Sequence, residues 1–251
     1  IVWMDGIVFK VRENGKVINK TVYLCVGLNK DGLKEVLGMW VGKNESAAFW
    51  MGVLTDLKAR GVENILVTVT DNLNGFTETI KSVFPSSTTQ ICVVHQIRNS
   101  CRYVVWKEKK EFTSDLKNIY NAPTKEAAKM ELDNFEQKWG SKYPYAIRSW
   151  RNNWEELTVF FDFPVEIRKI IYTTNLIENL NGKIRKYTKN KLSFPNDDAL
   201  KKSVYLAITE IEKKWYQPIW NWALIFNQFI TIFENRIQEK NLNPEVFYLH
   251  K

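Results

Sequence analysis

Two aspartates stand at places in the sequence where a carboxylate needs a chemical reason. Asp5 lies inside the apolar, β-branched stretch 1–11, and Asp71 directly follows the apolar run 65–70. Strand interiors disfavour aspartate, and burying a carboxylate is costly unless it is paired or bound to a metal ion. If the two strands are neighbours, both carboxylates converge at one position of a sheet. Asp71 on its own also fits an Asx turn or a helix N-cap.

A third acid is then expected from a neighbouring helix, and Glu178 is the best candidate. It lies in the amphipathic segment 173–181, among amide side chains and ahead of a basic stretch. On its own, Glu178 also fits a solvated position on a helix surface. The three carboxylates together make a stronger signal than any one of them.

A Cys-x-x-His pair, Cys92 and His95, raises the question of zinc. A structural zinc site needs four ligands. The one other histidine is His250, and Cys101 could contribute only by reaching back from the same helix. We therefore expect no zinc, and a core cysteine followed by a helix-capping histidine is the structural alternative.

Basic side chains follow Glu178 closely, with no acid between residues 179 and 191. Beside a catalytic glutamate we expect contacts with phosphate, which weaken steeply with salt, whereas a solvated face is the plain alternative. The four predicted contacts are Lys183, Arg185, Lys186 and Lys189. A second set mixes cations with aromatic rings that could stack a base, namely Arg148, Trp150 and Arg151. Trp154 is expected in the helical core, a place that Trp150 could also take.

The composition is that of a soluble globular protein with a basic second part. Of the 251 residues, 45% are apolar and 25% are charged, and the net charge is +8. Residues 1–90 carry 10 Lys and Arg against 9 Asp and Glu, whereas residues 91–251 carry 26 against 19. The excess is expected where one region faces a polyanion. No apolar run approaches the roughly 20 residues that span a bilayer, so no membrane partner is expected. The three cysteines, without a framework spacing, favour a reducing compartment.

The elements that must position these residues follow from hydrophobic periodicity. Strands are predicted at 1–11, 17–28 and 34–41, joined by tight turns that include Asn14-Gly15. A helix at 46–60, a strand at 65–70, a helix at 75–83, a strand at 88–92 and a helix beginning near His95 follow. The order predicts an α/β chain with a mixed sheet and helices packed on it.

The remaining sequence is predicted to be helical, in two parts. Residues 107–170 are polar, tryptophan-rich and interrupted by prolines, which indicates an all-helical insertion. Further helices are predicted at 172–189, 197–216 and 218–241. We therefore divide the chain into a first core part, 1–106, the insertion, 107–170, and a core completion, 171–251.

The sequence resembles the bacterial Mutator-type insertion-sequence transposases over nearly its whole length. Asp5 in a strand, Asp71 after Val-Thr-Val-Thr and Glu178 after Tyr-Thr-Thr-Asn carry this resemblance. It extends to segments 35–38 (EVLG), 92–99 (CVVHQIRN), 150–154 (WRNNW), 170–175 (IIYTTN) and 194–197 (FPND).

The resemblance implies an Asp-Asp-Glu enzyme with a ribonuclease H-like mixed sheet, flanked by helices and interrupted by the helical insertion before the helix of the catalytic glutamate. It implies that Asp5 bridges two Mg²⁺ or Mn²⁺ ions, with Asp71 and Glu178 completing the two sites, as suits in-line phosphoryl displacement. It further implies active-site support from Cys92, His95 and Asn175, and a DNA contact from Arg98.

The implied reaction is cleavage at the ends of the element, then attack of the freed 3′-hydroxyl on target DNA. The implied partner is double-stranded DNA, both the terminal inverted repeats and the target. A homodimer is expected in the synaptic complex, and the location is the bacterial cytoplasm, at the nucleoid.

This chain departs from the family pattern in three places. Asn72 follows the second aspartate where the family usually has glycine, and Gly182 stands where the family commonly has a longer, often basic, residue. The abrupt start at Ile1 leads us to expect that an N-terminal DNA-binding region of a longer protein is missing. The alternatives to a strand-transferase are a catalytically impaired or truncated DNA-binding or dimerisation remnant, and a structure-specific nuclease that cleaves without joining.

Overall fold

A mixed five-stranded sheet lies at the centre of the computed structural model, which describes residues 1–42, 46–71, 75–173 and 175–238. The strands are β1 (Val2–Glu13), β2 (Lys16–Leu28), β3 (Lys34–Gly42), β4 (Val67–Thr70) and β5 (Thr88–Ile91). Their order in the sheet is β3-β2-β1-β4-β5. The first three strands are antiparallel, β4 runs parallel to β1, and β5 runs parallel to β4. The predicted α/β chain with a mixed sheet is confirmed.

The turn between β1 and β2 sets the register of the strand that carries Asp5. Asn14 and Gly15 have φ angles of 50° and 76°, the pair of positive values that a type I′ hairpin turn requires. Glu13 therefore pairs with Lys16, and the same register places Asp5 opposite Leu24. A slip of one residue would move Asp5 to the other face of the sheet.

The helices in the described part of the chain cover both faces of this sheet. They are α1 (Ala47–Ala59), α2 (Phe76–Val83), α3 (Val93–Ser100), α4 (Lys109–Tyr120), α5 (Lys125–Trp139), α6 (Pro144–Asn152), α7 (Trp154–Leu157), α8 (Val165–Ile171), α9 (Asn175–Thr188), α10 (Asp197–Glu212), α11 (Trp222–Ile232) and α12 (Glu234–Gln238). Short 3-10 turns occur at Cys101–Tyr103, Trp106–Glu108 and Val159–Asp162. Within the described residues, no helix is both long enough and apolar enough to cross a bilayer.

Alternation along β1 divides the core into two clusters. Val2 and Met4 pack with the buried residues of α1 and α2 on one face. Trp3 and Ile7 point to the other face, where they join a larger cluster that includes buried residues of α3 to α6 and α8 to α11. Asp5 follows the same alternation as Trp3 and Ile7, so the period of two directs its carboxylate toward the larger cluster.

The helices of the predicted insertion share this larger cluster with the sheet. Gln90 of β5 is fully buried, donates to the Leu157 carbonyl at 2.9 Å and accepts from the Phe160 amide at 2.7 Å. Residues 109–171 are helical in α and 3-10 segments, as expected from the sequence. The division into three domains stays a prediction.

The predicted closing helix, 218–241, is wrong as a single element. Asn221 has a left-handed backbone, with φ of 61°, so the helix begins only at Trp222. A break at Phe233 separates α11 from α12. Residues 239–241 of this prediction lie outside the described residues, as do Asn72 and His250.

Candidate active site

Asp5 and Asp71 occupy matching positions on neighbouring parallel strands. Trp3 of β1 pairs with Val69 of β4, and each aspartate lies two residues farther along its chain. The condition under which the two carboxylates converge, that the two strands are neighbours, is therefore met. Asp71 directly follows the last residue of β4, Thr70, and its carboxylate lies near that of Asp5.

His95 completes a compact cluster with the two aspartates. One possible ligand atom from each of Asp5, Asp71 and His95 lies within 4.8 Å of the other two. His95 Nδ1 is 2.5 Å from Asp71 Oδ1. The histidine reaches this place because α3 begins at Val93, directly after β5, which is the parallel neighbour of β4. The family resemblance implied a supporting role for His95, and the structure brings its side chain into contact with Asp71.

Asp5 is oriented by hydrogen bonds to both of its oxygens. The Gly6 amide donates to Oδ1 at 2.7 Å, and Asn181 Nδ2 donates to Oδ2 at 2.6 Å. Asn181 is buried on α9. The sequence-based set of site residues omits Asn181. Its position three residues after Glu178, on the same side of an amphipathic helix, is the signal that could have found it.

Glu178 lies beside the cluster, with its carboxylate engaged by an arginine. Arg98 Nη1 and Nη2 donate to the two carboxylate oxygens at 2.6 and 2.9 Å. His95 Nε2 is 3.7 Å from Glu178 Oε1. The structure therefore places all three predicted acids at one site, but Glu178 is not a member of the compact cluster. Arg98, expected at DNA, is the residue that holds it.

Burial and close charges shift the pKa values of two groups at this site. Burial, followed by the negative charge of Asp71, raises the pKa of Asp5 to about 7. Burial lowers the pKa of His95, but hydrogen bonds to Asp71 and Cys92 and the charge of Asp71 outweigh it and raise the value to about 10. The site therefore favours positive charge, from a proton, an imidazolium or a cation, next to its carboxylates.

The other predicted supporting residues lie around the cluster. Cys92 is a buried free thiol at the N-cap of α3, hydrogen-bonded with His95. Asn175 is exposed at the first residue of α9, one turn before Glu178. The compact cluster found among the described residues contains no cysteine.

The basic residues that follow Glu178 lie on the outer face of α9. Lys183, Arg185 and Lys186 are exposed there, and Lys189 is exposed just beyond the helix end. Leu180 and Ile184, in contrast, are buried on its inner face. This arrangement leaves the cations available to phosphate, and the DNA contact itself stays a prediction.

Of the aromatic and basic residues of α6 predicted to contact DNA, one is buried, one is paired with acids and one is exposed. Trp150 is only 1% exposed, and its Nε1 donates to Ser100 Oγ at 2.9 Å, so its ring is unavailable for base stacking. Arg151 is paired with Glu136 at 2.5 Å and with Asp133. The structure therefore supports the core alternative for Trp150, and Trp154 also packs against the core. Arg148 is exposed.

Comparison with known proteins finds a family match and several similar proteins. The chain matches the family described as "Transposase, Mutator family" over residues 1–218. It is 42% identical over 237 residues, 94% of the chain, to a probable transposase for insertion sequence element ISRM3-like from Sinorhizobium fredii. The transposase for insertion sequence element ISRM3 from Rhizobium meliloti is likewise 42% identical over 94% of the chain. A probable transposase for an insertion sequence element from Corynebacterium diphtheriae is 40% identical over 85%. The matched part is 59% of the length of each of the first two relatives and 63% of the third.

Proposed function

The chain belongs to the Mutator family of transposases, and we propose that it is the catalytic region of a metal-dependent DNA strand-transferase. In this proposal it cleaves the ends of an insertion sequence and joins the freed 3′-hydroxyl to target DNA. The observation that carries the proposal is the clustering of Asp5, Asp71 and His95 beside Glu178. Two carboxylates held this close and partly out of water require a compensating positive charge.

The donor set fits Mg²⁺ or Mn²⁺. Carboxylate oxygens are the hard ligands that these ions prefer. Asp5 and Asp71 would hold the ions, and Glu178 would complete the set. When bound, such ions polarise the scissile phosphate and lower the pKa of the attacking water or hydroxyl. Asn181 and Gly6 fix the carboxylate of Asp5, and His95 fixes that of Asp71.

Glu178 has to leave Arg98 before it can complete this set. The guanidinium of Arg98 binds the carboxylate with two parallel hydrogen bonds, a geometry that suits a phosphate equally well. In our proposal a DNA phosphate takes the place of Glu178 on Arg98, and Glu178 turns toward Asp5 and Asp71. Substrate binding and completion of the acid triad are then one event.

The surroundings of the site support a DNA substrate. The exposed cations Lys183, Arg185 and Lys186 lie one to two turns beyond Glu178 on the outer face of α9. Such cations position a duplex through its phosphates. The sheet order, with three antiparallel strands followed by two parallel ones, supports a ribonuclease H-like core. A homodimer that holds two element ends is part of the same proposal.

The test uses duplex oligonucleotides from both ends of the element that encodes the chain, with a supercoiled plasmid as target. We expect nicked and joined products with Mg²⁺ or Mn²⁺ and none with EDTA. Asp71→Asn should reduce the rate on the order of 1,000-fold, because a metal ligand is lost. Asp31→Asn, an exposed aspartate between β2 and β3, is the matched control and should leave the rate unchanged.

Other outcomes of this assay would favour one of the competing functions. Cleavage without joining would replace the strand-transferase with a nuclease. DNA binding without reaction in either metal would favour the catalytically impaired remnant. A reaction that survives both EDTA and Asp71→Asn would overturn the metal-dependent site altogether.

A further inference from the structure

Three large aromatic side chains are exposed where α3 leads into the helices of residues 109–171. Tyr103 is 65% exposed, Trp106 is 85% exposed and Tyr145 of α6 is 54% exposed. The rings of Tyr103 and Tyr145 meet edge to face, with centroids 5.1 Å apart. Single exposed apolar residues are common on protein surfaces, whereas a group of them marks a binding surface.

The charge around these rings is positive. Arg102, Lys107 and Arg148 are exposed beside them, and Arg148 lies three residues after Tyr145 on α6. There is no aspartate or glutamate in residues 93–107 or 141–154. The acids that directly follow these two segments are already engaged. Glu108 is bound by Lys142 and by the Tyr143 hydroxyl at 2.6 Å, and Glu155 is bound by Lys125 at 2.7 Å. Basic residues interleaved with aromatic rings are typical of surfaces that bind single-stranded nucleic acid.

The rings lie close to the acid site along one continuous stretch of helix. Ser100 and Cys101 keep right-handed helical angles, so the turn Cys101–Tyr103 directly extends α3. Arg102 therefore lies one turn, about 6 Å, beyond Arg98 along the helix axis. A strand whose phosphate replaces Glu178 on Arg98 would reach the rings within about two to three nucleotides, at roughly 3.4 Å per nucleotide.

We propose that Tyr103, Trp106 and Tyr145, together with Arg102, Lys107 and Arg148, form a stacking surface for unpaired bases of the DNA strand that leaves the active site. The location of that strand rests on the proposed function. The rings stack bases of any sequence, and the three cations hold the phosphates between them. This surface takes the role that was expected of Trp150, whose ring is buried.

The test compares the affinity of the 251-residue chain for two DNA molecules of equal length in EDTA. One is a fully paired duplex, and the other has three unpaired nucleotides at one end. We expect about tenfold tighter binding to the second DNA. Tyr103→Ala combined with Trp106→Ala should abolish this preference and leave affinity for the paired duplex within about twofold. Arg102→Ala combined with Lys107→Ala should weaken the salt dependence of binding to the DNA with unpaired nucleotides. The slope of log affinity against log salt concentration should become about 1.4 less negative.

Two controls keep the result specific. Tyr205→Ala with Tyr216→Ala removes the same number of exposed rings, 60% and 73% exposed, from another region and should keep the preference. Tyr103→Phe with Trp106→Phe retains flat rings and should also keep it, which separates stacking from any loss of folding.

The measurement distinguishes failure of this surface from failure of the proposed function, because it requires no catalysis. An equal affinity for both DNA molecules, or a preference that survives the double alanine variant, would overturn the stacking surface even if the chain cleaves DNA. If Tyr103→Ala with Trp106→Ala changed the mass measured by sedimentation but kept the DNA preference, the rings would belong to an interface between protein chains instead. Preference without metal-dependent cleavage would support the surface and count against the proposed function.

Discussion

Asp5 accepts hydrogen bonds on both oxygens, from the Gly6 amide and from the Asn181 side chain. Aspartate is a poor residue for a strand interior, so its carboxylate depends on these partners and on any bound cation for its stability. Asn181 comes from α9, the same helix that carries Glu178. One helix therefore both orients Asp5 and carries Glu178, the third acid of the proposed triad.

Asn181→Ala should weaken Mn²⁺ binding by about 10- to 100-fold, because partners that orient a ligand contribute that much to metal affinity. The readout is the Mn²⁺ concentration needed to raise the thermal midpoint of the chain. Asn179→Ala removes an exposed amide of the same helix and is the matched control. Equal Mn²⁺ affinities of the two variants would show that Asn181 does not support a metal ligand.

His95 should make the metal-free protein less stable as pH rises. Its folded pKa of about 10 lies above the ordinary value of 6.5, so the stabilisation is fully present below pH 6.5 and is lost as pH approaches 10. Urea unfolding is measured in EDTA between pH 6.5 and about pH 10. Over this range the free energy of unfolding should fall more steeply in the wild-type chain than in the His95→Gln variant. Groups elsewhere titrate equally in both proteins, so parallel pH profiles would contradict the ion pair with Asp71.

Among the elements, α9 contributes both to the core and to the candidate active site. Its inner face packs Ile177, Leu180 and Ile184 into the core, and its outer face presents cations. Gly182 lies in the middle of this helix, where it lowers helix stability by roughly 1 kcal/mol relative to alanine. A Cβ added at Gly182 would meet no atom within 4 Å.

Gly182→Ala should therefore stabilise the chain by about 1 kcal/mol, which corresponds to a rise of roughly 2–4 °C in the thermal midpoint. Gly6→Ala provides the opposite case, because its Cβ would lie 2.6 Å from Thr21 Cγ2 in the sheet. That variant should lower the midpoint. Calorimetry measures both, and an unchanged or lower midpoint for Gly182→Ala would mean that the helix gains nothing from the added methyl group.

Across the whole molecule, the helices of residues 109–171 share one apolar cluster with the sheet and are joined to the rest of the core by buried hydrogen bonds. Gln90 joins β5 to the region after α7, and Trp150 joins α6 to α3 through Ser100. Because α3 also carries His95 and Arg98, the packing of α6 on α3 supports the candidate active site. We expect the sheet and these helices to unfold together.

Gln90→Ala should lower the free energy of unfolding by about 1–3 kcal/mol, since the Phe160 amide and the Leu157 carbonyl lose a buried partner. The unfolding should stay a single transition in a calorimetric scan. Gln137→Ala, at an exposed position of α5, should have little effect. Two separate transitions in the wild-type chain would instead indicate that residues 109–171 fold independently.

Local signals in the sequence were sufficient for much of this fold and for part of the site. Asn14-Gly15 predicted the hairpin, because few residues other than asparagine and glycine adopt positive φ angles. The unusual place of Asp5 in an apolar strand was enough to single it out. Asp71 would lie beside it only if the two strands were neighbours, and the sequence left that open. The helical periodicity located α9 within a few residues of its observed bounds.

Contacts between distant parts of the chain were decided only by the tertiary structure. Arg98 meets Glu178 across 80 positions, and Asn181 meets Asp5 across 176. Periodicity tells which face of a helix is apolar but not which element packs against it, so it left Trp150 open between DNA and core. The packing of α6 on α3 buries the ring of Trp150, whereas Tyr103, Trp106 and Tyr145 are exposed to solvent.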